Sequence, residues 1–313
     1  MARVCAKGGT GVAEQDWKDN RRAFWSVSAT PLLWTLLFFL VPMSFVWLYS
    51  FGSNVGLAEI EISGTLDNYK RATEWLYVSI FLKSFAVAAL VTVICLVVGF
   101  PVAMALTFAS DKWRPWLLLA IMLPFWTNLL IRTYALMMLL GTQGYANKSL
   151  GWLWDSASGL KVLLGMQPLP TWEPVQLLYN NFAVVLGLVY VHLPFMVLPL
   201  YSALDRLDKS LIEASLDLGA GHLRTLGKVV LPLAMPGVIA GVMITLIPAL
   251  GAYLTPDLMG GTDSQMIANV IERQFKRAND WPFGAALSFV LIYAMFILIA
   301  LQSLRKPKAG EKR

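Results

Sequence analysis

Charged side chains are scarce in this sequence, 14% of 313 residues, where a soluble domain carries about 25%. With 57% hydrophobic residues and a mean hydropathy of +0.62, that deficit excludes an ordinary water-soluble globule. Cysteine is sparse as well: Cys5 before the first apolar run and Cys95 inside the second offer no disulfide framework. The two histidines, His192 and His222, lie far apart and suggest no metal site. Neither H-E-x-x-H nor G-x-S-x-G occurs, and acids and histidines do not cluster, which argues against an intramembrane enzyme. A P-loop is missing too. The only Gly-Lys pair, Gly227-Lys228, is followed by Val229 and lacks the glycine required five positions before Gly227.

What is present is membrane. Six charge-free stretches run over 23–58, 84–110, 115–131 (continuing past Arg132 to 147), 174–204, 229–256 and 281–304. Each allows the roughly 20 residues that cross a ~30 Å hydrocarbon core. Continuous apolar runs without period-2 alternation leave only helices in lipid. The expected fold is an all-α integral membrane protein with six transmembrane helices near 31–51, 84–108, 116–140, 182–201, 236–258 and 284–303. Residues 1–30 form an N-terminal tail too long and too acidic for a signal peptide, so the first span is an uncleaved anchor. Residues 31–304 form the transmembrane domain and 305–313 a C-terminal tail. With the N-terminus inside, the inner segments hold more than twice as many Lys and Arg as the outer ones. Both termini are therefore expected in the cytoplasm. The net charge of +6 reflects these loops rather than nucleic-acid binding. The outer segment 142–181, with Gly144, Trp152, Trp154, Pro168, Pro170, Trp172 and Pro174, is expected to form a short interfacial helix and turns.

One polar segment interrupts the pattern, 204–232, and topology puts it in the cytoplasm. Apolar residues at 204, 207, 211, 214 and 218 share one helical face, while Arg206, Lys209, Glu213 and Asp217 fall on another. Gly219-Ala220-Gly221 ends that helix with a left-handed cap. A second helix from His222 to about Val230 leads to Pro232 and Pro236, giving a short helix–turn–helix parallel to the membrane. Periodicity alone fits a docking element and a plain surface loop equally well.

The spacing Glu213-Ala214-Ser215, three residues, Gly219, nine residues, Val229-Val230-Leu231-Pro232 resembles the EAA loop of permease subunits of bacterial binding-protein-dependent ABC importers, E-A-A, three residues, G, nine residues, I-x-L-P. Ser215 and Val229 are its departures, both close in size. Leu123-Pro-Phe-Trp126-Thr-Asn-Leu-Leu-Ile-Arg132-Thr-Tyr134, Pro194 to Leu204, Ile247 to Gly251, Pro256 to Gly261 and Asn279 to Pro282 are similar to the polyamine (spermidine/putrescine) permease subfamily, in its first permease subunit, from about residue 84 onward. The resemblance implies a type I (MetI-like) fold in which Glu213, Ala214, Ser215, Asp217, Gly219, Ala220, Leu223, Arg224, Leu231 and Pro232 couple to a separate ATPase. It implies a second homologous permease, two ATPase copies that bind the ATP and Mg, and a periplasmic binding protein; this chain holds no cofactor and is not itself an enzyme. The subfamily often has Glu after the glycine of the fifth-span motif, where this chain has Ala252, which opens the substrate question.

Several residues can touch a cation in transit. Trp126, Tyr134, Tyr190, Tyr201 and Tyr253 offer aromatic faces, and Asp257 is an acid at the outer end of the fifth span. Pro248 followed by Gly251 can break that span, as at transport sites. Arg132 lies roughly 24 Å from the inner end of its helix at 1.5 Å per residue, in the outer half of the bilayer. It is either a structural clamp on loop carbonyls or Asp257, or a gate. His192 reads as a satisfied polar group inside the bundle. The expected function is the permease subunit of an ATP-driven importer of a polyamine or similar small cation. The alternatives are the same importer class with another small substrate, amino-acid-like or aminophosphonate, an ion-coupled transporter, which would need acids at the span centres, and a membrane scaffold.

Overall fold

In a computed structural model, residues 21–56, 59–167 and 169–304 are described. The expected tails at 1–20 and 305–313, and Pro168, lie outside them. Five helices are long and apolar enough to cross a membrane, and a bent pair supplies a sixth crossing if it counts as one span. The expected all-helical membrane fold therefore holds.

The chain divides into two compact units. In the first, α1 (Arg21–Thr35), a π turn (Leu36–Leu40) and α2 (Val41–Tyr49) form the first span. It is already helical at Arg21, the first described residue, well before the expected start near 31. A small hairpin follows, β1 (Ser53–Asn54) and β2 (Ile60–Glu61), with Ser53 opposite Glu61. Then come α3 (Asp67–Ala72) and, from the far end of the sequence, a final helix at Trp281–Leu304. Arg71 binds that final helix twice, through Asp280 at 2.7 Å and over the Phe283 ring at 3.9 Å. Trp47 Nε1 donates to the Tyr293 hydroxyl at 2.9 Å.

The second unit begins with α4 (Trp75–Phe108), which starts well before the expected 84 and carries Lys83 within it. The third span is not the straight helix expected over 116–140. It is broken after α5 (Arg114–Trp126), and α6 (Leu129–Leu140) opens a helical stretch, Leu129–Leu163, that is bent by 95° from α5. Pro124 and the Asn128 cap explain the break: Asn128 accepts from the Leu130 N–H at 2.8 Å and starts a new helix. The outer segment holds α7 (Tyr145–Leu163), longer than expected. Asn147 ties it to Val175 in both directions, at 3.0 and 2.9 Å, and Trp154 donates to the Pro170 carbonyl at 2.9 Å.

Next come α8 (Asn181–Asp205), α9 (Lys209–Asp217), α10 (His222–Thr225), a π turn (Leu226–Val230) and α11 (Leu231–Leu250). The fifth span then breaks after Pro248 and Gly251, as expected, and resumes as α12 (Leu254–Met259). The unit ends with α13 (Ile267–Lys276), and the final helix named above is α14. Helices α4, α8 and α11 enclose the core, with Val91, Cys95, Leu106, Leu188, Met196, Val197, Leu200 and Ala234 buried. Gly237 lets α8 and α11 meet: a Cβ there would stand 2.8 Å from the Pro199 carbonyl and run into Ala203. Ala252 packs against the same core, where a carboxylate in its place would have to be desolvated.

Candidate functional site

The polar segment 204–232 is built from its caps. Asp208 accepts from the Ser210 N–H at 3.0 Å and opens α9. At the other end the Ala220 N–H reaches the Ser215 carbonyl at 3.1 Å and the Gly219 N–H reaches Leu216 at 2.9 Å. That pair of bonds is a Schellman closure, and it requires the left-handed φ of +80° at Gly219. The Ser215 and Thr225 hydroxyls meet at 3.0 Å, with Thr225 buried, so α9 is stitched back onto α10.

One expectation is corrected here. The second helix is not a separate element parallel to the membrane. His222–Leu250 is one continuous helix: a π turn at Leu226–Val230, closed by the Leu231 N–H on the Leu226 carbonyl, precedes Pro232 and lets the chain pass it without a break. The exposed capped element is therefore α9 with its turn, followed directly by the long helix His222–Leu250.

Glu213, Ala214, Asp217, Gly219, Leu223, Arg224, Leu231 and Pro232 are exposed, while Ser215 and Ala220 are half-buried. Leu218 and Leu223, 89% and 84% exposed, flank the glycine turn as two apolar knobs. The sequence reading placed Leu218 on the apolar face but not among the coupling residues, and missed Thr225 and Asp208. The Asp-x-Ser cap was findable from pattern; the hydroxyl contact, made across a turn, was not. At the membrane end of the segment, Arg114 of α5 pairs with Asp205, the last residue of α8, at 3.4 Å, and donates to the Thr107 carbonyl of α4 at 3.2 Å.

The second cluster surrounds the α5–α6 break. Arg132 is buried, 7% exposed. Its Nη2 donates to the Phe125 carbonyl at 3.1 Å and the Thr127 carbonyl at 2.9 Å, and its Nε to the Thr127 hydroxyl at 3.3 Å. The guanidinium stands 5.8 Å from the centre of the Tyr190 ring. Of the two structural partners anticipated, carbonyls and Asp257, it takes the carbonyls. Trp126 and Tyr134 flank the break and are exposed. Tyr201 is elsewhere, half-buried against the α4–α8–α11 core.

Tyr253 and Asp257 form a separate group at α12. The Tyr253 carbonyl accepts from Asn269 at 2.8 Å, and Lys276 sits 6.0 Å from its ring while pairing with Glu272 at 3.1 Å. The hydrogen bond and charge of Glu272 raise the Lys276 pKa, with smaller contributions from Tyr253 and Asp257. Pro248 is exposed just before the helix stop. His192 is buried with Nδ1 2.8 Å from the Leu188 carbonyl, a satisfied polar group as expected.

With this geometry in hand, three likenesses bear on it. The chain is 41% identical over 266 residues to the spermidine/putrescine transport system permease protein PotB of Escherichia coli (strain K12), covering 85% of this chain and 91% of that one. It is 38% identical over 266 residues to the protein of the same name from Haemophilus influenzae (strain ATCC 51907 / DSM 11121 / KW20 / Rd), covering 85% and 88%. A solved bacterial alginate ABC transporter, in complex with an alginate pentasaccharide-bound periplasmic protein, shares the fold with a TM-score of 0.64 at 13% identity, over 91% of this chain and 94% of that one. Residues 21–308 match the model of the binding-protein-dependent transport system inner membrane component. A multi-pass helical chain with an exposed capped helix mounted on its fifth span is thus a member of that family, a permease component of an ABC transporter.

Proposed function

We propose that this chain is one of two permease subunits of an ATP-driven importer that moves a polyamine of the putrescine/spermidine class from periplasm to cytoplasm. The observation that carries the reading is α9, an exposed helix with two apolar knobs and Glu213, fixed to a continuous fifth span. The likeness to the spermidine/putrescine permeases supports the cargo class. The second subunit is a homologous permease, two ATPase copies bind the ATP and Mg, and a periplasmic binding protein delivers the cargo. Both termini face the cytoplasm, in keeping with the bias of Lys and Arg toward the inner segments.

Coupling runs from the ATPases to α9. When they close, α9 moves with them, and the fifth span carries the motion into the bundle. Aromatic faces at Trp126, Tyr134 and Tyr253 give an ammonium shallow contacts along the way. Among the described spans, the centres hold no carboxylate, which fits a path where cargo is passed on rather than held. The test is the reconstituted four-protein system with a panel of amines, including amino-acid-like and aminophosphonate compounds. Putrescine or spermidine is expected to stimulate ATP hydrolysis and accumulate. Stimulation by a non-amine alone would overturn the cargo class. Glu213→Lys is expected to leave the complex assembled while abolishing ATP-dependent uptake, and full uptake in that variant would sink the coupling role.

A further inference from the structure

The break between α5 and α6 has the composition of a cation site. A helix that ends at Trp126 presents carbonyls carrying the negative end of its dipole. Here two of them, Phe125 and Thr127, converge with the Thr127 hydroxyl on one edge of a single guanidinium, through Nη2 and Nε, and the centre of the Tyr190 ring lies 5.8 Å from that group. Carbonyl oxygens at an interrupted helix and an aromatic face are the groups that receive an alkylammonium or a metal cation inside transporters. The occupant is the chain's own Arg132, and among the described residues no carboxylate pairs with it. Its charge is held by dipoles alone.

We propose that this site is a cation-binding shell for a guanidinium or primary ammonium, and that Arg132 fills it so that cationic cargo crosses the break without being retained. The proposal rests on the cationic cargo class argued above. Without Arg132 the Phe125 and Thr127 carbonyls lose its N–H donors, and the first polyamine ammonium to arrive would take their place. Passage requires sites weak enough to leave, so a chain that carries ammonium groups gains throughput by occupying its strongest ammonium site itself. Cargo then meets the exposed faces of Trp126 and Tyr134 beside the break, where contacts are shallow. Arg132 is on this reading a specificity-determining residue, acting by keeping a competing site closed.

Chemical rescue tests it in the complete reconstituted complex. Arg132→Ala is expected to lower uptake about tenfold or more, and added methylguanidinium to restore several-fold of the loss. Tetramethylammonium, a cation without N–H donors, should restore nothing. Absence of methylguanidinium rescue in an assembled complex, or equal rescue by tetramethylammonium, overturns the site. Spermidine is expected to compete with the rescue and to remain bound to the purified Arg132→Ala complex longer than to the parent. Rescue that spermidine does not compete away overturns the shielding role while leaving the guanidinium site in place. Because the rescue itself needs no assumption about cargo, its failure is distinct from a failure of the polyamine reading, which the amine panel on the parent complex decides. Should Arg132→Ala not assemble, Arg132→Lys and Arg132→Gln serve: the charged variant must transport faster, and equal rates overturn the proposal.

Discussion

At Gly219 the backbone takes a φ of +80°, and a Cβ placed there would meet nothing within 4 Å. The space is open, so the cost of any side chain is conformational, about 1 kcal/mol for alanine and more for a β-branched residue. Gly219→Ala is expected to weaken ATPase retention on purification several-fold, and Gly219→Val further, while membrane insertion is unchanged. The neighbouring cap has a pH signature. Hydrogen bonds from Ser210, its side chain first and then its backbone N–H, hold the Asp208 carboxyl below its ordinary value. A depressed carboxylate contributes fully above its unfolded pKa and loses that contribution only as pH falls through the folded value. Association with the ATPase is therefore expected to be indifferent to Asp208 between about pH 6 and 8. Asp208→Asn, which keeps an acceptor, should match the parent across that range, and Asp208→Ala should weaken association at every pH in a binding titration.

Arg114 joins three helices at the ends of their spans. It pairs with Asp205 at the end of α8, donates to the end of α4 and starts α5. A cation at two helix C-termini is favourably placed, and Asp205 stands only a short link before α9. A half-exposed pair of this kind is worth about 1 kcal/mol at most, yet it fixes where the docking helix leaves the bundle. Arg114→Glu and Asp205→Arg are each expected to lower uptake per ATP hydrolysed, and the double swap to recover most of it. A double-mutant cycle with no coupling energy would show the pair to be incidental. Packing between elements gives a second expectation. Gly237→Leu forces α11 off α8 by filling the contact with Pro199 and Ala203, and should cost more than 2 kcal/mol, read as a fall in the melting temperature of the detergent-solubilised complex.

For the molecule as a whole, the six apolar stretches were legible because lipid makes length and charge nearly sufficient. The coupling segment was legible because a glycine turn and its flanking periodicity are local. What escaped the sequence was continuity. Whether Pro124 and Asn128 break a span while Pro232 and Pro236 leave one intact depends on where each falls in its helical turn, and on whether a cap such as Asn128 is at hand to start again. Arg132 was visible as an oddity, but its partners are carbonyls, which every residue has and no composition reveals. Orientation is testable directly: a cysteine at Ser158 in α7 should react with an impermeant reagent from the periplasmic side in a background where Cys5 and Cys95 are both replaced by Ser, and one at Ser210 only after permeabilisation. The reverse pattern would invert the topology.

The unbroken run from His222 to Leu250 makes the fifth span a lever. Its 29 residues measure roughly 43 Å at 1.5 Å per residue, so a tilt of about 5° at the cytoplasmic end displaces the far tip by roughly 4 Å. A continuous hydrogen-bonded helix carries that movement past its π turn and prolines to the point where it stops. The stop is at Gly251, between Pro248 and Tyr253. The ATPases would thus do their mechanical work not beside the helix they grip, but at the far end of the span, where α11 gives way to α12.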